Sequence, residues 1–278
     1  MGHLTNIRRT AAGAAVALYC VVATAAAPTP PDLTGVWTNA APAGGGAPRG
    51  APAGGGAPRG AAAGGGAARG AAAGGGAPRG APAESPYTPL ARQRLDAYQK
   101  LVGGTDDSPG RWCVGTGMPG SMLGSGGYPM EIIQRPEQIT IVYEAHNEIR
   151  RIYFGDRNAP QEDRVPGRNG YSSGRWEGDV LVVETDNLVD QVDQRSTSHS
   201  DQAKIVERYK LNGTDAQGRR ILTVEMTMTD PVFYTKPVVQ TKSWAQVPNG
   251  RVLPYECPEE MWINRIDEVA KQKGVPVP

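Results

Sequence analysis

The sequence predicts a mainly β protein: an up-and-down antiparallel β-barrel of about ten strands, with a helix before it and a disordered Gly/Ala/Pro repeat near the start. Three observations predict it. Between Met130 and Cys257 the chain breaks into short runs rich in β-branched and aromatic residues. The links between them are short and carry no helical period, so successive strands pair as neighbours, and closing the sheet removes its edges. The glycine that raises the totals to Gly 37 and Pro 24 in 278 residues is concentrated in one tract, Ala41–Gly80. Lys+Arg 29 against Asp+Glu 28 gives a formal charge of +1, which excludes a globally basic nucleic-acid binder.

The first segment reads as a leader. Arg8 and Arg9 precede an uncharged Ala/Val run that ends at Ala23-Thr24-Ala25. A charged start, a short apolar core and an A-x-A end describe a secretory signal peptide over residues 1–25. The expected location is therefore periplasmic or secreted, with no membrane span in the mature chain. Residues 26–40 contain Leu33-Thr34-Gly35-Val36-Trp37-Thr38, an apolar strand expected to dock on the barrel. Residues 41–84 hold four copies of A-[PA]-A-G-G-G-A-[PA]-R-G. Glycine at that density offers no side chain to bury, so this segment reads as a linker.

Residues 85–278 form the barrel domain in this reading. Leu90, Leu95, Tyr98 and Leu101 recur near a 3.6-residue period, which predicts a helix over Pro86–Leu101. The predicted strands are Val36-Trp37, Met130–Gln134, Ile139–Ala145, Glu148–Phe154, Tyr171–Trp176, Val180–Thr185, Ala203–Leu211, Ile221–Thr229, Val238–Ala245 and Val252–Cys257. Only Asp156–Gly170 and Asp186–Ser200 are long enough for a crossover. Cys20 leaves with the leader. That leaves Cys113 and Cys257, expected to pair in an exported protein, the alternative being two free thiols. No CxxC occurs and His3 is lost with the leader, so neither a metal nor a cofactor is expected.

Several motifs resemble a family of secreted bacterial lipocalin-like β-barrel proteins. They are Gly35-Val36-Trp37, Tyr128-Pro129-Met130-Glu131-Ile132, Tyr143–Tyr153 and Gly174-Arg175-Trp176-Glu177-Gly178-Asp179. Val206-Glu207-Arg208-Tyr209 after Ser200-Asp201, and Tyr255-Glu256-Cys257, are similar too. The resemblance covers Leu33–Thr38 and roughly Pro86–Glu260, and it implies a barrel. Tyr171 stands where the family often has His. Arg175-Trp176 resembles the Arg-over-indole pair at a lipocalin barrel base.

Strand alternation nominates the chemistry. Glu207 shares a face with Ala203, Ile205 and Tyr209, so its carboxylate points inward. It is either a general base or ligand anchor, or one half of a buried ion pair with Arg151 or Arg175. Glu144 and His146 share one face and Tyr143 the other, and both faces are partly apolar. Glu144 and His146 then form either an inward acid/base pair or a solvated rim. The candidate catalytic residues are Glu207, His146, Tyr143 and Tyr171. The candidate ligand-binding residues are Glu144, Arg151, Arg175, Trp176 and Trp244. Ile132, Ile139 or Val142, Val182, Ile205 and Val224 complete the expected lining. The expected function is binding of a small hydrophobic or aromatic molecule inside the barrel. The alternative is a cofactor-free lyase, isomerase or hydratase acting on such a molecule in the same cavity. No nucleic-acid partner is expected, and the oligomeric state stays open.

Overall fold

The structure of the protein is a computed structural model that describes residues 1–2, 29–40, 86–102, 109–123, 127–192 and 198–274. Apart from residues 1–2, the leader and the repeat linker lie outside the described residues. Nine strands close into one barrel in sequence order. They are β1 (Gly35–Asn39), β2 (Met130–Gln134), β3 (Gln138–Tyr143), β4 (Glu148–Tyr153), β5 (Tyr171–Glu177), β6 (Val180–Asp186), β7 (Lys204–Thr214), β8 (Arg220–Thr229) and β9 (Val238–Val247). The helices are α1 (Pro89–Val102), α2 (Gly120–Leu123) and α3 (Cys257–Lys273).

Two features correct the expected topology. The stretch Val252–Cys257 is not a tenth strand; residues 251–256 are irregular and Cys257 opens α3. β1 already bonds β9, with Val36 opposite Val247 and Asn39 opposite Trp244, so no edge is left there for another strand. The barrel is also not wholly antiparallel. Residues 154–170 carry the chain back along the outside, and β5 then runs parallel to β4. That seam holds only two residue pairs, Ile152 with Ser172 and Tyr153 with Ser173.

Helix α1 begins at Pro89, three residues after the expected start. Thr88 caps it, its Oγ1 accepting from the Ala91 amide at 3.1 Å, and Pro89 occupies the first turn, where its missing N–H costs nothing. The expected apolar stripe is not buried: Leu90 and Leu101 are exposed, and Ala91 alone of the helix is in the core. Its small side chain lets the helix lie close, while Arg94 covers the Phe233 ring at 5.0 Å and pairs with Asp190.

The register fixes the inner face. Trp37, Met130, Ile132, Ile141, Leu181 and Val224 point inward with others of their alternating sets, and all are buried. Val182 and Val142 lie on the outer face, because Val182 pairs with Arg175 and Arg208, and Val142 with Glu131 and Ile149. The uninterrupted apolar run Val180–Val183 hid the alternation in β6; its inward residues are Leu181 and Val183. Gly174 also faces inward. A Cβ there would come within 2.8 Å of Ile152 and of the Phe154 ring, so glycine makes room for both beside the parallel seam.

Residues 115–123 plug the barrel end where β3 stops and β4 starts. Met118 and Met122 are fully buried in the core. Glu148 holds the plug, accepting from the Gly117 amide at 2.9 Å and the Ser121 hydroxyl at 2.5 Å. Gly117 has φ +70 and the Arg168 carbonyl lies 2.6 Å from where a Cβ would sit, so only glycine fits. Cys113 and Cys257 are disulfide-bonded, which ties the start of α3 to the plug.

Candidate functional site

The barrel interior holds a closed polar network. Arg150 and Glu207 form an ion pair with side chains 1% and 0% exposed. Arg150 Nη1 donates to Glu207 Oε1 at 3.1 Å and Nη2 donates to Oε2, a two-pronged contact. The remaining guanidinium protons go to Ser172 Oγ at 3.1 Å, Thr185 Oγ1 at 2.8 Å and the Tyr209 hydroxyl at 3.2 Å. Tyr209 donates to Glu207 Oε1 at 2.8 Å. The partner of Glu207 is therefore Arg150, and neither Arg151 nor Arg175. In β4 the buried Ile152 shares the face of Arg150, while Arg151 lies with exposed Ile149 on the other.

Burial sets the protonation states. Burial alone would lower the Arg150 pKa; the Glu207 carboxylate, with Tyr209, raises it well above the usual arginine range, so the cation is permanent. Burial pushes the Tyr209 hydroxyl well up, and Glu207 adds to the rise. Tyr143, also on the inner face, is driven up by burial, with Arg150 opposing. Its hydroxyl makes no well-formed hydrogen bond among the described residues. Both phenols therefore stay neutral.

The other expected site residues are dispersed. Glu144 accepts from the Leu253 amide at 2.8 Å and so pins the segment before α3. His146 sits in the tight turn between β3 and β4 with φ +61, its ring 4.9 Å from that of Tyr255. Glu144 and His146 thus lie outside the barrel, at the chain's return. Arg175 is exposed and pairs with Glu177 and Glu184, while Trp176 lies on the inner face of β5. Adjacent strand residues point to opposite faces, so the two do not stack. Trp244 is fully buried on the inner face of β9.

Tyr171 and Arg151 meet in a different place. An open groove of about 860 Å³ runs along the parallel β4–β5 seam. Arg151, Tyr153 and Tyr171 line it with Ile149, Val165 and Asn169. The rings of Tyr153 and Tyr171 stack at 5.3 Å, and the Arg164 guanidinium lies 4.4 Å from the Tyr171 centroid. The Tyr171 hydroxyl accepts from the Ala159 amide at 2.6 Å. Tyr171 is thus engaged on both ring faces and at its tip, and it anchors the loop that forms the groove's outer wall. Ile149 and Val165 are 46% and 80% exposed, so the groove presents apolar surface to solvent. Asn169 donates to Glu148 at 3.0 Å, but its buried Oδ1 has no partner among the described residues. Ile149, Val165 and Asn169 escaped notice in the sequence, because the seam that assembles them joins β4 to a strand beyond a long loop.

Among the described residues no cluster of His, Cys, Asp or Glu has the arrangement of a metal site, and no helix is long and apolar enough to cross a membrane. No family model, no curated protein and no solved structure matches the chain.

Proposed function

We propose that the protein binds a small aromatic or hydrophobic molecule with a polar tip, and that the molecule sits in the β4–β5 groove. The observation that carries this reading is the groove, about 860 Å³ with exposed Ile149 and Val165 facing it. That size falls in the range of about 300–1,000 Å³ typical of small-molecule sites. Arg151 and Arg157 supply cations at its wall, and Asp156 and Asp163 carboxylates.

Two observations favour binding here over acid/base catalysis inside the barrel. Glu207 accepts three donors from Arg150 and Tyr209, which leaves it poorly placed to take a substrate proton. Large side chains such as Trp37, Trp244, Met130 and Tyr143 occupy the interior at full burial.

Titration with anilinonaphthalene sulfonate, an aromatic amphiphile, tests the reading. Saturable fluorescence enhancement is expected, and Ile149→Glu together with Tyr153→Ala should weaken it about tenfold, the equivalent of about 1.4 kcal/mol of lost apolar contact. Equal affinity in that variant, or enhancement that never saturates, would overturn the proposal.

A further inference from the structure

The groove at the β4–β5 seam carries its charges in an order. The outward residues of β4, read along the strand, are Ile149, Arg151 and Tyr153, and all three line it. The Phe154 N–H then donates to the Glu137 carbonyl, so Glu137 sits level with the end of β4. Asp156 and Arg157 follow within three residues, and all of these line the groove too. At a rise of about 3.3 Å per residue, Arg151 lies about 7 Å along the strand from Ile149 and about 10 Å from the level of Glu137.

These charges are not taken up by the fold. Glu137, Arg151, Asp156, Arg157 and Asp163 are exposed, and none of their side chains makes an ion pair or hydrogen bond among the described residues. Neighbouring arginines differ: Arg164 pairs with Asp186, and Arg168 donates to the Gly115 carbonyl. At the end of β4, the carboxylates of Glu137 and Asp156 outnumber the single guanidinium of Arg157, so that end is acidic. Arg151 is the cation of the strand itself, and on its other side lies the exposed apolar surface of Ile149. Asp163 belongs to the outer wall. Along β4 the groove therefore reads apolar, cationic, aromatic, acidic.

We propose that the ligand of the groove is a short peptide with free termini and an apolar last residue. This inference rests on the groove being the binding site. The terminal carboxylate lies on the Arg151 guanidinium, whose planar fork matches it in two-pronged fashion. The side chain on the carbon next to that carboxylate lies on Ile149. An extended chain advances about 3.3–3.6 Å per residue, so the ammonium of a tripeptide lies about 10 Å away, beside Glu137 and Asp156. A ligand with one charge leaves one end of this pattern unanswered. A ligand with the charges reversed meets like charge at both ends, which is costly.

Isothermal titration calorimetry of the intact, disulfide-bonded protein with the tripeptide Gly-Gly-Phe reads binding without a dye. N-acetyl-Gly-Gly-Phe, which lacks the cation, and Gly-Gly-Phe-amide, which lacks the anion, should each bind on the order of tenfold more weakly. Arg151→Gln should weaken Gly-Gly-Phe by about the same factor and leave the affinity of the amide unchanged. Glu137→Gln/Asp156→Asn should weaken Gly-Gly-Phe and leave the acetylated peptide unchanged. Equal affinities for the three peptides, or an Arg151→Gln loss as large for the amide as for the acid, would overturn the proposal. Saturable binding of anilinonaphthalene sulfonate with no binding of Gly-Gly-Phe would overturn the peptide and keep the groove. Failure of both probes would remove the groove as well.

Discussion

Arg150→Met is expected to destabilise the fold by about 3–5 kcal/mol, because it leaves the Glu207 carboxylate in the core without its cation. Ser172, Thr185 and Tyr209 lose a shared donor at the same time. In a thermal melt this should appear as a fall of roughly 10 °C for a domain of this size. Glu207→Gln should cost about 3 kcal/mol by stranding the guanidinium. The double variant Arg150→Met/Glu207→Leu should recover most of the loss, since a hydrophobic pair of similar volume replaces a buried ion pair at little net cost. Urea denaturation of the parent and the three variants measures each loss. A Glu207→Gln protein as stable as the parent would show that the carboxylate is strained in the barrel and kept for chemistry, and would reinstate Glu207 as a catalytic candidate.

The disulfide carries the second large effect. Cys113 and Cys257 are 144 residues apart in sequence, so their bond closes most of the barrel into one covalent ring. The chain-entropy model assigns about 4.7 kcal/mol to a ring of roughly 100 residues, and native disulfides typically contribute about 2–5 kcal/mol. Cys113→Ser/Cys257→Ser is expected to lower stability by that amount. Hydrogen exchange should rise first in α3 and in residues 109–123, which the bond joins, and later in β7 and β8. Uniform loss of protection across the barrel strands would contradict this ordering.

The alternation in β7 read correctly from the residues, and so did the inward placement of Glu207. Its partner did not, because choosing between Arg150 and Arg151 requires knowing which face Ile152 takes, and an inner face is a property of the closed barrel. The same limit hid the parallel seam. Short loops imply adjacent antiparallel strands, whereas residues 154–170 can return the chain in either direction, and nothing local decides which. Helix α3 was misread for another reason. Ile263, within it, is 59% exposed, so no core contact of that residue marks the helix. Pro258 in the first turn and Gly274 at φ +64 after the last marked both ends. The groove was the least legible feature, since it exists only where the outer wall, the seam and Asn169 meet.

β1 has a consequence for the order of assembly. Gly35, Val36 and Trp37 pair with β2 on one edge, and Val36 to Asn39 pair with β9 on the other, so the first strand made is also the last seam to close. Val36 waits for Val247, and until β9 exists the growing sheet ends in two unpaired borders. Contacts that span so much chain form slowly, because the entropy of closing the loop must be met before the pairing repays it. The nearly complete, still open sheet, with Trp37 not yet seated, is then the species most prone to pair with a neighbouring chain.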